Sequence, residues 1–170
     1  ASFVERTGYA SARFLANRGS IFGAHESVTL RANRSGGIDL YTGVSTFGQG
    51  SETAFAQICA EILAVDYESI HVHAGDTAAS PLNTGAFASR TLIATAGAIR
   101  QAAVELRDKA LRIAAWVLEV APEALEVSGR VVRLRADHGR SLPLSDIFTR
   151  AIIGQGIPEA EAPGLEASAH

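Results

Sequence analysis

The chain has 170 residues, 47% of them hydrophobic and 19% charged, which suits one globular domain with a usable core rather than a disordered segment. Its 15 Lys and Arg against 18 Asp and Glu leave a formal charge of -3, so no basic excess points to nucleic acid or an anionic membrane. No apolar run approaches the roughly 20 residues a spanning helix needs. The opening Ala1-Ser2-Phe3-Val4-Glu5-Arg6 has no cleavable leader pattern. Cys59 stands alone, which excludes an intrachain disulfide and a thiolate-held cluster, and a cytoplasmic location is the expectation.

In chain order, a strand is expected over 10–16. Val28, Leu30 and Ala32 alternate with Thr29 and Arg31, and Ile38, Leu40, Thr42 and Val44 alternate with Asp39, Tyr41 and Gly43. With the turn cluster Asn33-Arg34-Ser35-Gly36-Gly37 between them, they predict a β-hairpin. A helix follows from about Ser51, with Phe55, Ile58, Cys59 and Ile62 on one face. Ile70, Val72 and Ala74 predict a short strand. From Arg90 the pattern is helical through Leu92, Ala96, Ile99, Ala103, Leu106, Ala110, Ile113 and Val117, with Pro122 beyond its end. Leu125 to Val127 and Val131 to Leu134, joined through Ser128-Gly129, predict a second hairpin, and Ser145 to Ile153 a short amphipathic helix. The expected class is α+β, a mixed sheet with hairpins packed against one long and two shorter helices.

The chain begins without Met and contains none, and its last stretch is rich in Gly, Pro and Glu. It therefore reads as a piece of a longer protein, with residues 1–153 as the domain and 154–170 as a loop or linker.

Two places carry ligand-binding potential. Phe47-Gly48-Gln49-Gly50-Ser51-Glu52-Thr53 joins a strand to a helix. Glycines let backbone approach a ligand, and the first helical N–H groups, helped by the helix dipole, favour phosphate or another electron-rich group. Gln49 adds an amide donor and acceptor. The alternative is a tight turn with Ser51 or Thr53 as the helix cap. Asn83-Thr84-Gly85-Ala86-Phe87-Ala88-Ser89-Arg90 opens the long helix with the same physics. Arg90 suits bidentate contact with a phosphate; the alternative is that Ser89 caps the helix and Arg90 is solvated.

Other features read more plainly. Asp76, in Gly75-Asp76-Thr77, is expected to pin its own loop. His71 and His73 share one face of a strand and read as an exposed polar face rather than a metal pair. The second Gly-Gln-Gly, at 154–156, lacks a following helix. No nucleophile–base–acid set, Walker loop or Gly-x-Gly-x-x-Gly fingerprint occurs, so neither a catalytic nor a metal-ligating residue is assigned.

The ordered set Gly48-Gln49-Gly50, Thr53, Gln57, Ala60-Glu61, Leu63, then Gly75-Asp76-Thr77, Pro81, Gly85, Ser89-Arg90, Gly97-Ala98, resembles the molybdopterin-binding large subunit of the xanthine dehydrogenase and aldehyde oxidase family. The Gly-Asp-Thr and Ser-Arg forms are most similar to carbon monoxide dehydrogenase large subunits, and Leu165-Glu166-Ala167 also fits. The resemblance implies an oxidoreductase domain that holds a molybdenum-pterin cofactor, in bacteria usually the cytosine dinucleotide. It implies contacts from Gly48, Gln49, Gly50, Ala88, Ser89 and Arg90. It further implies oxidation of CO, an aldehyde or an N-heterocycle, with electrons passed to Fe–S and FAD-binding subunits or domains, and assembly with the rest of its own large subunit into a dimer of heterotrimers. The family's catalytic Glu follows a Gly, and no Gly-Glu dipeptide occurs here, so this chain alone is expected to be inactive. Competing readings are a stand-alone nucleotide- or pterin-binding module and a non-catalytic structural or assembly domain.

Overall fold

The structure, a computed structural model, describes residues 12–19 and 25–170. It opens on a short helix, α1 (Ala12–Asn17), in place of the strand expected over 10–16; residues 10 and 11 lie outside the described residues. The segment holds Ala, Arg and Leu, good helix formers, and no β-branched residue.

The first hairpin forms as expected from β1 (Val28–Ala32) and β2 (Ile38–Thr42), antiparallel with Leu30 opposite Leu40. Asn33 fixes the turn: its Oδ1 accepts from the amides of Ser35 at 3.1 Å and Gly37 at 3.0 Å. The chain then crosses through α2 (Ser51–Leu63) to β3 (Ile70–Ala74), which lies parallel to β2. Parallel pairing requires such a crossover, because the chain must return to the same end of the sheet. After a long loop comes α3 (Thr91–Leu118), 28 residues. Next is a small antiparallel sheet of β4 (Leu125–Ser128), β5 (Val131–Leu134) and β6 (Ser141–Pro143). The sequence reading includes the first two of these strands and not β6, whose 3 residues are too short for a period to be seen. The helix α4 (Leu144–Ile153) follows.

The final segment differs from expectation. Residues 154–165 are irregular, but Glu166–Ala169 form β7, antiparallel to β1 at the edge of a sheet ordered β3-β2-β1-β7. Ala167 and Ala169 are buried while Glu166 and Ser168 are exposed, so the end of the chain is part of the fold rather than a linker. Alanine at the inward positions gives a true period of two that carries little hydrophobic signal.

Val28, Leu30, Ile38 and Leu40 face α3 and α2 from the sheet, and none of them is more than 1% exposed. On α3 the expected stripe is buried along its middle at Ile99, Ala103, Leu106, Ala110 and Ile113, while Leu92 at its start is exposed. Buried alanines at 98, 102, 103, 110, 114 and 115 let that helix lie close to its neighbours. The α+β class stands, with α1 added to the one long and two shorter helices expected.

Candidate functional site

Parallel pairing of β2 and β3 has a direct consequence for the loops. Both strands end at the same edge, at Thr42 and Ala74, so the loop into α2 and the loop into α3 leave side by side. Ligands of sheets with parallel strands bind at such carboxyl ends. The loops are joined where they leave. Asn83 Nδ2 donates to Thr42 Oγ1 at 2.9 Å and to the Ser27 carbonyl at 3.2 Å, while Thr84 Oγ1 donates to the His25 carbonyl at 2.8 Å. Gly43 faces the Pro81 carbonyl so closely that a Cβ would overlap it. Asp76 pins its own loop as expected, accepting the Ala78 amide at 2.9 Å.

Between the N-termini of α2 and α3 lies a cleft of about 410 Å³. Phe47, Gln49, Gly50, Ser51 and Ala54 line one side, and Ala86, Phe87, Ala88, Ser89, Thr91 and Leu92 the other. Neither cap residue closes its helix with a side-chain hydrogen bond: Gly50 is left-handed (φ 72°) at the start of α2, and Arg90 begins α3. The first intrahelical bonds are Ala54 N to Gly50 O at 3.1 Å and Ala94 N to Arg90 O at 2.9 Å. The amides before them, in both first turns, therefore lack intrahelical acceptors. Two positive dipole ends converge on a cleft lined by no acidic or basic side chain among the described residues. Glu52 is exposed on the first turn of α2, where Thr46 Oγ1 donates to it at 3.0 Å. Such a place suits a phosphate or pterin-type ligand rich in acceptors.

The expected site residues divide into two groups. Gln49, Gly50, Ala88 and Ser89, separated in sequence, meet across the cleft. Gly48 does not line it, but its φ of 101° makes the turn that presents Gln49. Ser51 and Thr53 are not the cap residue of α2, which corrects the turn-and-cap alternative; Arg90, not Ser89, holds the cap position of α3. Ala88 and Ser89 are left-handed at φ 50° and 53°, unusual for residues with a Cβ.

Arg90 itself is neither solvated nor in the cleft. Its side chain is 2% exposed and paired with the carboxylate of Glu26, which is fully buried. It also donates to the Gly85 carbonyl at 2.9 Å and lies over the Phe87 ring at 5.2 Å. Burial lowers the Arg90 pKa from its ordinary value, but a guanidinium stays charged at neutral pH. Glu26, whose buried carboxylate meets the loop into α3, is a residue that sequence reasoning misses. A lone acidic residue ahead of a strand gives no signal, and its partner is 64 positions away. Phe47 and Phe87 line the cleft as exposed rings, a placement visible only in three dimensions.

His71 and His73 are exposed, as expected, although pairing with β2 brings Asp39 to 2.8 Å from His73 Nε2 and stacks His73 on Tyr41 at 4.6 Å. Among the described residues no group of three or more His, Cys, Asp and Glu could hold a metal ion. The second Gly-Gln-Gly ends a helix: Gly154, at φ 67°, is the C-cap of α4, where the dipole has the opposite sign.

The fold and this paired-loop cleft define a cofactor-binding domain. The chain belongs to the molybdopterin cofactor-binding domain family, whose model matches residues 1–170. It is 32% identical over 147 residues to the 6-hydroxypseudooxynicotine dehydrogenase complex subunit gamma of Paenarthrobacter nicotinovorans, covering 86% of this chain and 18% of that protein. It is 33% identical over 145 residues to the carbon monoxide dehydrogenase large chain of Hydrogenophaga pseudoflava, covering 85% and 18%. Among solved structures it superposes on quinoline 2-oxidoreductase from Pseudomonas putida 86 with a TM-score of 0.82 and 29% identity, covering 94% of this chain and 20% of that one. The chain thus spans about a fifth of the length of these relatives. No helix among the described residues is long and apolar enough to cross a membrane.

Proposed function

We propose that this chain forms one wall of the molybdenum-pterin site in the catalytic subunit of a molybdenum hydroxylase. The observation that carries this reading is the convergence of two helix N-termini, bearing Gln49 and Ser89, on one cleft. The donor set fits the group: it is neutral, rich in N–H, and open at Gly50, where a Cβ would meet nothing within 4 Å. Gly50 and the first turn of α2 bind from one side, Ala88 and Ser89 from the other, and Gly48 sets the turn. Gln49 orients the group through its amide. The cofactor supplies the redox chemistry that hydroxylates a carbon centre or oxidises CO; the protein supplies position and a fixed electrostatic environment.

A dinucleotide form of the cofactor, such as the cytosine dinucleotide, suits the paired N-termini, since its pyrophosphate is the kind of group such amides hold. The chain works with the rest of its large subunit and with Fe–S and FAD partners, in the cytoplasm, as a dimer of heterotrimers. The names of the relatives, which include a complex subunit and a large chain, support a multi-subunit assembly. The test is to purify the intact enzyme that carries this chain and measure molybdenum, pterin and cytidine nucleotide per subunit. Stoichiometric molybdenum and pterin are expected. Their absence from enzyme isolated out of molybdenum-replete cells overturns the reading. Molybdenum and pterin without cytidine overturns only the dinucleotide form.

A further inference from the structure

Outside the cleft, one pair of charged side chains is buried among the described residues. Glu26 lies just before β1, and Arg90 is the N-cap residue just before α3. Their side chains are 0% and 2% exposed and are ion-paired. Both members bond to the same stretch of chain. Glu26 Oε1 accepts the Gly85 amide at 3.3 Å, and Arg90 Nη1 donates to the Gly85 carbonyl at 2.9 Å. Both polar groups of a single peptide residue, Gly85, are therefore held by the two members of the pair. Between Gly85 and Arg90 lie Ala88 and Ser89, both left-handed, a conformation that persists only where surroundings impose it. Arg90 also covers the Phe87 ring.

We infer that the buried Glu26–Arg90 pair is a positioning device that clamps residues 85–89 in the conformation that presents Ala88 and Ser89 to the cleft. This rests on the cofactor reading for its purpose but not for its geometry. Arg90 fixes the far end of the segment as the cap residue of α3, its carbonyl accepting the Ala94 amide. Glu26 fixes the near end through Gly85 and is itself anchored by the strand that follows it. The pair stabilises little as a bare ion pair, because two buried charges lose hydration. Its value is in specifying one loop geometry. Arg90 acts on the cofactor through the loop, not by touching a phosphate.

The test uses the intact enzyme with Glu26→Gln, Arg90→Met and the double variant Glu26→Gln/Arg90→Met. The double variant leaves no unpaired buried charge, so it folds even where a single variant does not. Two quantities are read: amide hydrogen exchange over 84–90, with 99–113 of α3 as the internal reference, and molybdenum and pterin per subunit. The double variant is expected to exchange about tenfold faster or more over 84–90, the scale of one lost charge-assisted hydrogen bond, with the reference unchanged. Cofactor content falls in parallel, and the losses from the singles do not add in the double. Exchange over 84–90 equal to wild type in the double variant overturns the clamp. So does a cofactor loss confined to Arg90→Met, with Glu26→Gln at wild-type levels, since that pattern makes Arg90 a direct ligand. Wild-type enzyme devoid of molybdenum pterin overturns the functional reading instead, and the exchange comparison then decides the clamp alone.

Discussion

The Gln49 side chain accepts the backbone amide of Phe47 through Oε1 at 2.8 Å. An N–H donor at that distance fixes which end of the amide is oxygen. The Nε2 group has no partner among the described residues, and Gln49 lines the cleft. One end of the side chain therefore holds its own loop while the other carries a free donor at the cleft.

That division makes Gln49→Glu the informative variant. A carboxylate still accepts the Phe47 amide but cannot donate, and it places negative charge beside an acceptor-rich ligand. Loss of one such bond costs about 1–3 kcal/mol, or roughly fivefold to 150-fold in affinity. Molybdenum and pterin content of the intact enzyme should fall while its melting temperature holds. Unchanged cofactor content would reduce Gln49 to a turn residue.

Gly43 tests the joint between the two loops. Its missing Cβ is replaced by the Pro81 carbonyl, a backbone atom that no rotamer change can move aside. Gly43→Ala should destabilise by about 1–3 kcal/mol, as overpacked sites do. It should also lower cofactor content, because both loops shift. Thermal melting of apo and holo enzyme measures the two effects, and a melt and cofactor content at wild-type levels would contradict the contact.

Ala88 separates backbone strain from steric access. At φ 50° a residue with a Cβ carries about 1–2 kcal/mol of strain, which glycine does not. Ala88→Gly should keep or slightly raise stability, offset in part by a freer unfolded chain. Ala88→Val combines a disfavoured conformation with two methyl groups at the cleft, so both the melt and the cofactor content should drop. The ranking Gly, Ala, Val in melting temperature is the measurement; Val equal to Ala would refute the left-handed assignment.

Cys59 supplies a pH dependence. It is fully buried on α2, and burial pushes its thiol from an ordinary 9.0 up to about 12. Well below pH 9 the thiol is neutral in both states. As pH rises above 9.0, the unfolded chain loses its proton while the folded one does not, so the stabilisation present at neutral pH is lost between 9.0 and about 12. Cys59→Ala should weaken that alkaline loss. At pH 8 the folded protein should resist thiol reagents and react only when denatured. Rapid labelling of native protein would contradict the burial.

Much of this molecule was legible without coordinates, because its signals are local. The alternation through Val28–Ala32 and Ile38–Thr42, the stripe from Ile99 to Ile113 and the two glycine-bearing helix starts each depend on residues within a turn or two of one another. The ordered motifs from Gly48 to Ala98 likewise sufficed for the family. Choices of partner lay beyond that reach. The parallel pairing of β2 with β3 puts Gln49 and Ser89 on the same cleft. Alanines at 167 and 169 become strand positions only because β1 offers an edge to cover. Arg90 reads as a surface cation by type, and only the buried carboxylate of Glu26, 64 residues earlier, turns it inward. Local periodicity sets which face of an element is apolar. Which other element removes that face from water, and which buried charge meets its counterpart, is settled only when distant segments pack together.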